Sequence, residues 1–286
     1  MTAPDLLAVI VRFGGFVALF QAAGAAFFLL LFGVRLGSGV ADIRRLAARS
    51  AWIALMLVIL HLVLEPARLT GEFGGLLDSS MRRLAWTSND ALAQSLRIAG
   101  LLLVAVAMWR RSPSVGVASF GAVCAIATFL LSGHTTVHPL RAVLAPLLAL
   151  HLLAIAFWFG ALLPLRTVLR QESPPIAAAV VEAFSAVAIW LVPIIAVVGL
   201  ILVFVLADGF PGLDTGYGVS IVAKLVGFVV LLMLAAWNRF RLTPGIAGDS
   251  GESRLLLQRS IAVEFVLIVC VLAVTAGMTS FFSPGE

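Results

Sequence analysis

The sequence predicts an all-α, polytopic membrane protein, a bundle of eight transmembrane helices. Hydrophobic residues fill 62% of the 286 positions and charged residues only 12%, where a soluble domain carries about 25% charged residues. Mean hydropathy is +1.13. Apolar runs of about 20 residues, each able to cross about 30 Å of hydrocarbon as a helix, recur along the whole length. Lipid offers backbone groups no partner, so the runs are expected to be helical. No stretch remains for a soluble domain, and 1–286 reads as a single transmembrane domain.

The first run, 6–34, follows Pro4 and Asp5 with no basic segment, so it reads as a retained helix and not a cleaved signal. The second, 47–64, runs outward from Arg49, and Pro66 is expected to end it. The connection 65–90 has mixed charge and Trp86, which suits a short helix on the membrane surface. The third and fourth runs are 91–109 and 115–131, and the loop Ser132-Gly133-His134-Thr135-Thr136-Val137-His138-Pro139 follows. Then come 143–165, 180–206 and 218–237. The segment 238–259, with Pro244 and three glycines, reads as a flexible connection before the last run, 260–282.

Charge orients the bundle. Twelve arginines fall in alternate connections: Arg35, Arg44, Arg45, Arg49, Arg110, Arg111, Arg166, Arg170, Arg239, Arg241, Arg254 and Arg259. The positive-inside rule places these in the cytoplasm and both termini in the periplasm, which an even span count also requires. The net charge of +5 is distributed by loop and not gathered on a domain, so membrane lipid is the expected partner and nucleic acid is not. Cys124 and Cys270 lie mid-span without a CxxC pattern and read as small buried thiols.

With this topology the four histidines all fall on the outer side. Ionisable side chains inside a bilayer are costly and mark function. His61 lies twelve residues past Arg49, about 18 Å along the helix. Glu65 follows one turn later on the same face, placed to share a proton with the imidazole or orient it. His134 and His138 are four apart in a short loop at the bundle mouth, and His151 is ten residues past Arg141, about 15 Å along. Lys224 is the only lysine, and Glu65 is its candidate partner. Asp90 and Arg97 are seven apart and suit a pair along one helix. Met278 lies fourteen residues after Glu264 on nearly the same face, reaching the outer half. At the inner end Glu182, Glu264, Asn238 and Arg239 suit a charge network.

Histidine with methionine and carboxylate suits late first-row metals, copper above all. HExxH, Walker and GxGxxG patterns are absent, as is a nucleophile–base–acid set, so no enzyme is predicted.

Several motifs in order resemble the copper resistance D (CopD) family across roughly 120–284. They are Ser132-Gly133-His134, the run from His151 through Trp158 to Gly160, and the series Tyr217-Gly218, Lys224, Asn238-Arg239, Glu264 and Pro284. The resemblance implies copper handling at the bacterial inner membrane, usually import, and places His134 and His151 at the family's motif positions. The expectation is that a periplasmic copper-binding chaperone delivers copper to His134 and His138. The metal then passes to His61 and His151, with Met278 a further soft donor, inside a charge network of Glu65, Lys224, Asn238, Arg239 and Glu264. Two other readings stand beside it. One is a b-type cytochrome with His61 and His151 as axial ligands of haem b. The other is a scaffold that delivers copper to an oxidase without transporting it.

Overall fold

A computed structural model describes residues 2–133, 136, 138–206, 209, 215–247 and 251–281. The described residues form helices α1 (Ala3–Phe32), α2 (Val40–Thr70), α3 (Ser79–Trp86), α4 (Asn89–Trp109) and α5 (Val115–Ala127), then α6 (Arg141–Gln171), α7 (Pro174–Leu206), α8 (Gly216–Trp237), α9 (Thr243–Ala247) and α10 (Gly251–Phe281). Seven of the described segments are long and apolar enough to cross a membrane, and Val115–Leu131 is a shorter apolar helix ending in a 3-10 turn. The protein is an all-helical, multi-pass membrane protein.

α1 is the hub. It packs against α2, α4 and α5 on one side and α6 and α10 on the other. Its buried residues lie all around the helix between Ala18 and Phe32, many of them alanine or glycine. Lipid tails are as apolar as the helices, so close backbone approach does much of the holding. At the α1–α6 crossing, a Cβ on Gly24 or Gly160 would overlap the opposite backbone. At the α4–α5 crossing, a Cβ on Gly100 or Gly121 would come within 2.7 Å of the other glycine's carbonyl oxygen.

Prolines inside the helices free carbonyls, because each removes the N–H that residue i−4 expects. Pro66 does not end α2, which runs on to Thr70. The carbonyl it frees is that of Leu62, and Trp86 of α3 donates its indole N–H there at 3.3 Å. Pro164 frees the carbonyl of Gly160, and Gln21 of α1 donates to it at 2.9 Å. A side chain from elsewhere in the bundle supplies each missing donor, so neither helix need break.

α3 is a short helix within the connection 65–90, as expected. Asp78 caps it, accepting from the Ser80 hydroxyl at 2.6 Å and from the Ser80 and Met81 amides at 2.8 and 3.2 Å. These bonds, the Ser80 hydroxyl first, hold the Asp78 carboxyl below its usual range. The segment after α8 differs from the flexible connection expected there. A π turn, Asn238–Leu242, leads straight into α9, and α10 begins at Gly251, well before position 260.

α1 begins and α10 finishes at the same end, here termed the upper end, since Arg12 donates to the Ser280 hydroxyl at 3.2 Å. The lower end is closed by hydrogen bonds. The buried Glu172 carboxylate accepts from the amides of Gly37 and Gly39 at 3.0 and 2.8 Å. The Ser38 hydroxyl donates to the Gln171 carbonyl at 2.9 Å, and Gln171 itself donates to Asp42. Arg254 donates to the carbonyls of Leu169 and Glu172, which satisfies the last turn of α6. Cys124 is half-buried and Cys270 is exposed on the bundle's outer face, where a buried thiol was expected.

Candidate functional site

At the upper end, α1, α2, α4 and the turn after α5 enclose a cavity of about 30 Å³, room for about one or two waters. Its polar wall comprises Arg12, His61, Asp90, Gln94, Arg97 and Ser132. Helical spacing assembles it. Asp90, Gln94 and Arg97 are four and three residues apart and share one face of α4. The Gly100–Gly121 crossing one turn below brings the end of α5 against that face. There the chain tightens into a 3-10 turn, Thr128–Leu131.

Arg97 is 6% exposed and is held on three sides. Its Nε donates to the Thr128 hydroxyl at 2.8 Å and its Nη1 to Gln94 Oε1 at 3.3 Å. Its guanidinium lies 3.9 Å from the Phe129 ring centroid, a cation–π contact strengthened by desolvation. Thr128 passes its own proton to the Ala125 carbonyl at 2.7 Å. Asp90, expected to pair with Arg97 directly, sits exposed at the cavity rim and acts on it as a nearby opposite charge.

His61 differs from its neighbours in being unsatisfied. It is 8% exposed, and its Nδ1 is buried with no hydrogen-bond partner. The charges acting on it are Arg12, Arg68, Asp90 and Arg97. A buried polar atom without a partner calls for a ligand or a bound water. Ser132, the first residue of the Ser-Gly-His segment, lines the same cavity as His61.

The other expected site residues are dispersed. His134 lies outside the described residues. His138 uses its Nδ1 to accept from the Leu140 amide at 3.1 Å, closing the turn into α6. Glu65 is not the partner of Lys224; it accepts from Arg68 at 2.9 Å on its own helix. His151 sits on the far side of α1, its ring against Gly199 of α7 and under the charge of Lys224. Its buried Nδ1 makes no hydrogen bond of good geometry, although the ring interacts with the Ile195 backbone. The structure therefore gives His61 and His151 separate sets of neighbours. Met278 packs with Tyr217, Ile221 and Val203. At the lower half Asn238 donates to Glu264, as the expected network requires, while Arg239 forms no ion pair among the described residues.

Among the described residues, no three histidine, cysteine or carboxylate side chains converge as a metal site. What the upper cavity offers is one unpartnered imidazole nitrogen, a carboxylate at the rim, two guanidinium groups and an adjoining loop. Two of its members carry a sequence signal that the histidine pattern misses. Arg12 is an arginine in the middle of an apolar run, and Gln94 is one turn from Asp90.

The family described as Copper resistance protein D-like, N-terminal domain, matches residues 1–139, the part that builds this cavity. The family described as Copper resistance protein D matches residues 178–278. Copper resistance protein D of Pseudomonas syringae pv. tomato is 27% identical over 296 residues, spanning 95% of each chain. No solved structure matches the chain. With one match on each half and a relative aligned nearly end to end, the chain belongs to the copper resistance protein D family.

Proposed function

We propose that this protein transports copper across the bacterial inner membrane, towards the cytoplasm, receiving it at the upper cavity. In this reading Val115–Leu131 completes a set of eight spans, the upper end faces the periplasm with both termini, and the role is not enzymatic. The arginine-rich lower end supports that orientation.

The observation that carries the reading is the unpartnered Nδ1 of His61, buried in a cavity wall that the Ser-Gly-His loop adjoins. Copper is the substrate, and a neutral imidazole nitrogen is a suitable donor for it. Arg12 and Arg97 oppose the approach of a bare cation, with Asp90 offsetting one of them. Donor chemistry and delivery by a periplasmic chaperone, not electrostatic attraction, therefore load the site. His134 and His138 at the loop are the entry donors. His151 with Lys224 is a later station across α1.

The test is copper content and flux. The full chain, purified into lipid nanodiscs and incubated with copper, holds the metal stoichiometrically, and His61→Ala loses it. Sealed vesicles carrying the parent accumulate copper and those carrying His61→Ala do not. A parent without copper, or a His61→Ala protein that keeps it, overturns the site. Binding without flux turns the reading into a delivery scaffold.

A further inference from the structure

In the lower half, α10 presents a core-facing stripe of Leu257, Ile261, Glu264, Ile268 and Leu272. Four of the five are apolar, as such a stripe requires. The fifth is a carboxyl group that is 3% exposed. Its position is fixed, because the next residue, Phe265, stacks on Phe159 of α6 with centroids 5.0 Å apart.

A lone carboxylate in this setting is costly without a cation. None is supplied. Arg166 on α6, Arg239 and Arg241 on the π turn, and Arg259 on α10 itself form no ion pair with Glu264 among the described residues. Among the described residues no cation pairs with it, and its hydrogen-bond partner is Asn238. Asn238 is itself buried, and while its amide nitrogen donates to Glu264 Oε1, its Oδ1 has no donor at all. A protonated carboxylic acid carries one O–H donor, and an ionised one carries none. A proton on Glu264 therefore removes the buried charge and adds, on the side chain already bonded to Asn238, the kind of donor that the Asn238 oxygen lacks.

The backbone at this point is also unusual. α8 passes into the π turn at Asn238, and the Thr243 hydroxyl donates to the Asn238 carbonyl at 2.9 Å. A π turn inserts an extra residue and so rotates the helix beyond it, and such turns recur at functional positions.

We propose that Glu264 and Asn238 form a proton-binding site in the lower half of the bundle, occupied by a proton when α8 and α10 are packed together. The proton resides on the Glu264 carboxyl and leaves to water when the two helices part, since only then is the carboxylate solvated. The inference stands on the fold and does not depend on the copper reading.

The test uses the full chain in lipid nanodiscs near neutral pH. Its infrared spectrum contains the carbonyl stretch of a protonated carboxylic acid, shifted by exchange into D2O. Glu264→Gln, which keeps shape and neutrality, lacks that component. In the unsubstituted protein a hydrophobic carbodiimide, which reacts with protonated carboxyls, labels Glu264 as located by mass spectrometry. That measurement needs no variant to fold. A spectrum unchanged by Glu264→Gln, or a Glu264 that stays unlabelled, overturns the proposal.

Discussion

His61 and His151 are both membrane-embedded imidazoles whose buried Nδ1 makes no hydrogen bond of good geometry, yet they sit in opposite kinds of surroundings. His61 shares a cavity wall with two arginines, a glutamine and a serine, and an aspartate stands at the rim. His151 lies against the bare backbone of Gly199, with Lys224 the one charge acting on it. α1 stands between the two regions and packs on both. Depth in the bilayer thus does not determine what a buried histidine can do; the neighbouring helices do. The N-terminal region gathers polar groups around an opening, and the C-terminal region sets its histidine apart from its other buried polar pair, Asn238 and Glu264.

The largest effect is expected from removing the partition itself. Gly160→Leu forces side-chain volume into the backbone contact with Gly24, and α1 can no longer seat against α6. Loss of the monodisperse, heat-stable species in size-exclusion chromatography is the expected result. A well-folded Gly160→Leu protein would show that the two halves are not joined through this crossing. Next comes the comparison of the two imidazoles. His61→Ala is expected to lose bound copper, and His151→Ala to keep most of it, with metal analysis as the readout. Equal losses would merge the two regions into one site.

A smaller effect is expected from Gln21→Leu, which leaves the proline-freed Gly160 carbonyl without its donor. The cost is about 1–3 kcal/mol, read as a lowered unfolding midpoint with copper content unchanged. The smallest concerns α3. The hydrogen bonds to Asp78 lower its pKa in the folded state, so the cap contributes fully above the ordinary aspartate range and is lost as pH falls through the lowered value. Asp78→Ala should remove that acid-dependent component of α3 protection in hydrogen exchange and leave α4 unaffected.

The spans were legible because hydropathy and helix length are local properties of the chain. Boundaries were less so. α2 passes through Pro66 because Trp86, twenty residues on, satisfies the carbonyl that the proline frees. A rule confined to the neighbourhood of the proline cannot see that donor. The burial of His61 was readable, but its separation from His151 was not, since the order of spans does not say which helices pack around each. Glu65 was assigned to a distant lysine when an arginine one turn away was available. Asn238 meets Glu264 between the last two spans, but the wider ion-pair network expected with Glu182 and Arg239 has no ion pair among the described residues. The lower latch of Glu172 on Gly37 and Gly39 left no sequence signal, because its acceptor meets backbone amides and not side chains.

The bond from Arg12 to Ser280 joins residues 268 positions apart. α1 is translated before α10, so it carries a guanidinium whose hydroxyl partner is synthesised 268 residues later. Its Gln21 must likewise wait for the carbonyl of Gly160. During biogenesis α1 is a polar-bearing guest in lipid that needs its partners, or an insertion factor shielding it, until α10 arrives. Completion of the packing around α1 thus waits on the translation of α6 and α10.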